Sequence, residues 1–141
     1  MRNLIITAII ASFSIPFFVS TDADAAFGRR KPVYNVDNVS FSTSSGTEVT
    51  LEQIGDAIKR ATRNRGWNFS PISDMAIKAE ILVRSRHKAI VEISYTTSTF
   101  SIQYKDSDIL LYEKEDGKIH RNYNKWVILL EQEIQDQLNR L

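Results

Sequence analysis

The chain has 141 residues, of which 43% are apolar and 25% charged, and its formal net charge is +1. That balance excludes collagen-like, mucin-like and wholly disordered chains, and the length suits one domain around one core. The chain has no cysteine, which excludes disulfides, thiolate zinc sites, thiol nucleophiles, thioether haem attachment and lipidation of an N-terminal cysteine.

The chain opens with Met1-Arg2-Asn3, continues with an apolar run from Leu4 to Val19, and reaches Ala23-Asp24-Ala25. A basic start, an apolar stretch and small residues at two alternate positions form the order of a secretory signal, with cleavage expected after Ala25. The competing reading is a retained anchor. A membrane span needs about 20 apolar residues; this run has 16 and is interrupted by Pro16. The expectation is therefore a signal at residues 1–25, no stable transmembrane anchor after cleavage, and a protein in the periplasm or secreted. Export without cysteine suits the bacterial periplasm better than a secreted eukaryotic domain, which at this size more often carries disulfides.

Residues 26–47 read as an extended arm. They carry Arg29-Arg30-Lys31, a Ser/Thr-rich stretch from Ser40 to Thr47, and room for a short strand around Val36 to Phe41. A single domain is expected over residues 48–141. Its first helix is marked at both ends. Thr50 and Gln53 have capping-box spacing, and Gly66 is suited to the left-handed residue that ends a helix. Between them Leu51, Ile54, Ile58 and Ala61 lie on one stripe.

Four stretches then alternate with period two: Trp67–Pro71, Ile77–Val83, Val91–Tyr95 and Phe100–Tyr104. One apolar face and short connections predict antiparallel strands wetted on one side, with Pro71 placing its strand at an edge. Ile109–Tyr112 is a candidate fifth strand, and Asp116-Gly117 a hairpin-type turn returning through Lys118 to His120. A last helix is expected from near Asn122, with Tyr123, Trp126, Val127, Leu130, Ile134, Leu138 and Leu141 on one stripe. The predicted fold is α+β in two layers, a four- to five-stranded antiparallel sheet with both helices on one face.

The small net charge hides an asymmetry. Lys59 to Lys88 carries +6, and Ala89 to Leu141 carries −3. Following the predicted meander, the end of the first helix, the Arg84–Lys88 turn, Asp106-Ser107-Asp108 and the start of the last helix share one end of the domain. The candidate ligand-binding residues there are Arg63, Arg65, Arg84, Arg86, His120, Asn122 and Tyr123, beside His87. Two readings compete. In one, Asp106 and Asp108 neutralise the arginines, Asn122 caps the last helix, and Tyr123 is a core aromatic. In the other, arginines and helix amides receive anionic groups such as lipid head groups. Nucleic acid is not expected as a partner of an exported, nearly neutral chain.

Catalytic signatures are missing. There is no G-x-S-x-G, S-x-x-K or H-E-x-x-H. His120 with Asp106 or Asp108 and Ser107 is the one triad the topology could assemble, and a hydrolase is the weakest reading. No cofactor is expected. Asp106, Asp108, Glu113 and Glu115 lack the glycine and spacing of a calcium loop, so no metal site is expected.

Three stretches also occur together: Ala57-Ile58-Lys59-Arg60-Ala61 leading to Arg65-Gly66-Trp67, Ser101-Ile102-Gln103-Tyr104 leading to Ser107, and Ile119-His120 leading to Asn122-Tyr123-Asn124-Lys125-Trp126. In this the chain resembles a family of small secreted proteins and lipoproteins of Gram-negative bacteria with no assigned activity. The resemblance spans about residues 48–140 and implies no functional residues. Ala26 stands where the lipoproteins carry their lipidated cysteine. The sequence therefore predicts an exported, non-enzymatic binding domain. Another envelope protein is the leading partner, an anionic ligand or lipid head group at the basic end the alternative.

Overall fold

The computed structural model describes residues 28–44, 46 and 48–141. The expected export signal lies outside the described residues. Among the described residues seven strands and two helices follow in order: β1 (Arg30–Pro32), β2 (Val36–Ser40), α1 (Leu51–Asn64), β3 (Asn68–Ser73), β4 (Ala76–Val83), β5 (His87–Tyr95), β6 (Thr99–Asp108), β7 (Lys118–His120) and α2 (Arg121–Asn139). The main sheet is antiparallel with order β2-β6-β5-β4-β3, and β1 pairs with β7 in a separate two-stranded sheet. This is the two-layer α+β architecture expected.

Helix α1 has the ends its sequence specifies. The Thr50 side chain accepts from the Gln53 amide at 3.2 Å, and the Gln53 side chain accepts from the Thr50 amide at 2.9 Å. At the other end Gly66, with φ +77°, donates to the Arg63 carbonyl, while Trp67 donates to that of Thr62. These two bonds form a Schellman motif, which satisfies carbonyls that the helix would otherwise leave orphaned. Polar contacts of Arg60 with Gln137 and of Asn64 with Glu133 fix α1 and α2 as antiparallel neighbours.

The strands bury one face. Ile77, Ala79 and Ile81 of β4, Ala89, Val91, Ile93 and Tyr95 of β5, and Phe100 and Ile102 of β6 pack in one core with Ile54, Ile58, Tyr123, Val127, Leu130, Ile134 and Leu138 from the helices. Lys78, Glu80, Leu82, Ile90 and Glu92 alternate with these residues and stay exposed or half-buried. Pro71 sits in β3, an edge strand, where its missing N–H leaves no gap in the ladder.

Three expectations change. The fifth strand is β2, not Ile109–Tyr112. Ile109 and Leu111 adopt φ of +55° and +54°, which breaks the extended conformation, and only Leu110 between them is buried. Residues 28–40 do more than extend. Asn124 of α2 accepts from the Tyr34 amide and donates to the Pro32 carbonyl, and Glu131 accepts from the Tyr34 hydroxyl at 2.8 Å, so this stretch is strapped along α2. Finally α2 starts at Arg121, and its N-cap is His120, not Asn122: the His120 Nδ1 accepts from the Asn122 amide at 3.2 Å.

Candidate functional site

The pole where α2 begins, beside the β4–β5 turn, collects cations. The β4–β5 connection has three residues, Arg84–Arg86, between the paired Val83 and His87; Arg84 and Ser85 are at φ +54° and +55°, and the Arg86 amide donates to the Val83 carbonyl at 3.3 Å. Positive φ at two successive turn positions follows the twist of the strands, but it favours Asn-Gly. Arg84 and Ser85 hold left-handed backbone at a steric cost of order 1 kcal/mol each. His87 follows, its Nδ1 at 3.1 Å from the Ile109 carbonyl. His120 is near enough to feel the charges of Arg121, Arg29 and His87. The Arg121 amide donates to the Arg29 carbonyl and the His120 amide to that of Leu110, which ties these segments together. No acid lies in the first turn of α2.

The proposed internal neutralisation does not form. The register sets Asp108 opposite Lys88 and Asp106 opposite Ile90, on the sheet face away from the helices. Among the described residues neither acid makes an ion pair, and neither do Arg63, Arg65, Arg84 or Arg86. Arg63 and Arg65, expected at the same end, lie away from it: Asn64 between them bonds Glu133, twelve residues into α2 and so roughly 18 Å along that helix from Arg121. Arg63 lies 5.4 Å above the Phe69 ring, a cation–π distance, and Arg65 caps α1. Asn68 pairs with Glu80, so the tip of the β4–β5 hairpin projects beyond the start of β3. The three residues from Glu80 to Val83 give it a reach of roughly 10 Å. Asn122 is exposed at the pole. Tyr123 is fully buried and offers nothing to a ligand. Its hydroxyl has no partner among the described residues, and burial holds its pKa far above the ordinary tyrosine value.

Apolar side chains adjoin the cations. Ile109 and Leu111 are both about half exposed, as is Leu82 near the hairpin tip. With Tyr104 and Tyr112, whose rings are 4.4 Å apart, Ile109 and Leu111 line a groove of about 600 Å³. Left-handed backbone is costly for a β-branched residue, and at Ile109 it holds a large apolar side chain in water.

The triad reading fails on geometry. Ser107 pairs with Ala89 and so faces the helix side, where its hydroxyl bonds Tyr104 at 2.9 Å. Asp106 and Asp108 point to the opposite face by the alternation of a strand. Because the Nδ1 of His120 accepts an N–H, the neutral ring carries its proton on Nε2. Burial, then Arg121, Arg29 and His87, lower its pKa below 6.5. Folding thus favours the neutral ring. This contribution is complete above the unfolded-state value and is lost as pH falls through the folded one. Urea denaturation between about pH 7.5 and about pH 5 should show stability falling on acidification. His120→Asn, whose amide oxygen can cap without titrating, should flatten that slope.

Among the described residues no cluster of histidine and carboxylate groups could hold a metal ion. No described helix is long and apolar enough to cross a membrane. Comparison of the chain with protein-family models, with curated proteins and with solved structures finds no match.

Proposed function

We propose that the chain is an exported, non-catalytic binding domain of the bacterial envelope that meets anionic lipid head groups through its basic pole. The observation that carries this reading is the hairpin tip at Arg84 and Arg86, two cations without an acidic partner among the described residues. Asp106 and Asp108, the acids expected to quench them, lie on the outer sheet face. Cations beside the exposed Leu82, Ile109 and Leu111 suit a lipid surface better than a free anion, because head groups attract the charges while the apolar side chains reach the acyl boundary. The export signal expected at residues 1–25 and the resemblance to small secreted Gram-negative proteins agree with this location. The outer sheet face, where Leu82 and Ile90 stand among polar neighbours, supports the second reading of a protein partner in the envelope.

The test is flotation of the full chain with phosphatidylglycerol vesicles and, separately, phosphatidylcholine vesicles. Binding should be selective for the anionic vesicles and weaken with salt. At about 1 kcal/mol per cation near the surface, Arg84→Ala/Arg86→Ala should weaken it roughly 30-fold. Both proteins keep the same apolar N-terminal run, so the difference reports on the pole alone. Equal binding by the two proteins would refute the lipid reading. Capture of one envelope protein, with no vesicle binding, would favour the second.

A further inference from the structure

At the opposite end of the domain, between the first half of α1 and the β3–β4 turn, lies a cleft of about 430 Å³ lined by Leu51, Glu52, Gly55, Pro71, Asp74 and Tyr95, with Lys59, Ser73 and Ile77 completing it. Its base is unusual. Tyr95 is only 5% exposed, yet its hydroxyl has no hydrogen-bond partner among the described residues. Unlike the sealed Tyr123 hydroxyl, the Tyr95 hydroxyl is open to the cleft, where water or a ligand can bond it. The hydroxyl reaches the cleft because residue 55 is glycine: a Cβ there would sit 2.7 Å from the Tyr95 Oη. Glycine in a helix interior is itself unfavourable relative to alanine.

The rim is acidic. Lys59, also in the lining, pairs with the exposed Asp56 at 3.2 Å and its charge still reaches the Tyr95 hydroxyl, while Glu52 and Asp74 are left without an ion pair among the described residues. Two carboxylates and one hydroxyl oxygen provide three acceptors around an apolar floor of Leu51, Pro71 and Ile77. A primary ammonium carries three donors and no acceptor. Its stem, a short chain of methylenes, would cover that floor and leave the charge at the rim.

We propose that this cleft is a binding site for a primary ammonium group on a short apolar stem, held by Glu52, Asp74 and the Tyr95 hydroxyl. The shared chemistry has two sources, a free alkylamine or the lysine side chain of a polypeptide. The site is distinct from the basic pole, and neither reading depends on the other.

The experiment is an amide and methyl NMR titration of the full chain with n-butylammonium, with butyrate and n-butanol at equal concentration as controls. Saturable shifts at Gly55 and Ile77 with butylammonium alone are expected. About millimolar affinity is what so few non-hydrogen atoms supply. Glu52 and Asp74 are exposed, so Glu52→Gln and Asp74→Asn should leave folding unchanged and each weaken binding several-fold. The double variant should lose at least tenfold. Tyr95→Phe should weaken butylammonium binding about threefold and leave the butanol response unchanged. A second arm uses glycyl-lysyl-glycine. Binding tighter than that of butylammonium assigns the site to a polypeptide lysine, and weaker binding assigns it to a free amine. No saturable shift with either amine, an equal response to butyrate, or full binding by the double carboxylate variant would overturn the proposal.

Discussion

Trp67→Ala is expected to lower the unfolding free energy by about 3–5 kcal/mol, the range for removing a large aromatic from a core. Trp67 is 2% exposed and is the largest fully buried side chain in the core. It is also the residue after Gly66 whose amide closes the Schellman motif on Thr62. The indole therefore fixes the angle at which the chain leaves α1 and enters β3, besides filling volume. Single domains have about 5–15 kcal/mol in total, so this one change removes a large share of it. Urea denaturation can be followed on Trp126, the remaining tryptophan, which is half-buried on α2. A loss under about 1 kcal/mol would contradict the burial of Trp67 in the core, since surface substitutions seldom exceed that.

The second large effect is a coupling whose sign depends on one oxygen atom. In most helix interiors Gly→Ala stabilises by about 1 kcal/mol. Gly55→Ala should instead destabilise by about 1–2 kcal/mol, because the new methyl meets the Tyr95 Oη at 2.7 Å. The obstacle is a rigid phenol set among β5 core residues and cannot swing aside. In a Tyr95→Phe background the nearest ring carbon is 3.3 Å away. There Gly55→Ala should become neutral or stabilising, approaching the usual helix gain. Thermal unfolding of all four proteins gives the coupling free energy, expected at about 2 kcal/mol, well inside the range for residues in contact. Additive effects would mean that α1 does not pack on Tyr95 as described. The same cycle bears on the cleft, because it tests whether glycine is needed there for the hydroxyl to reach the ligand position.

Most of the local structure was legible in the residues. Thr50 with Gln53, and Gly66 after a basic last turn, mark both ends of α1 because caps are short-range chemistry. Period-two alternation identified β3 to β6, and the edge position of β3 followed from Pro71. The stripe from Tyr123 to Leu138 identified α2. The candidate site was less legible. The basic hairpin was found from its charges, but the fate of those charges depended on the neighbours that strand register gave them. A bulge at Lys105, which has no partner between the pairs Val91–Tyr104 and Ile90–Asp106, sets which side chains of β6 face the helices. Nothing in the spacing of Asp106-Ser107-Asp108 announces it. His120 was singled out for its chemistry, whereas its role is to cap α2. The cleft at Gly55 had one signal, a glycine in the interior of a well-formed amphipathic helix, and no local rule says what such a glycine accommodates.

The sequence by itself determined the helices, their ends, four of the strands and the faces they bury, because each depends on residues within a few positions of one another. Only the tertiary structure decided that Arg30–Pro32 forms a strand, that the short strand expected near Val36 joins the main sheet as its fifth member, that Ile109–Tyr112 is strained loop, that Arg84 and Arg86 stay clear of Asp106 and Asp108, and that Tyr95 reaches a cleft through Gly55. Those outcomes join segments distant in the chain. Pairing register and packing across the layers set them, and neither is encoded in any short run of residues.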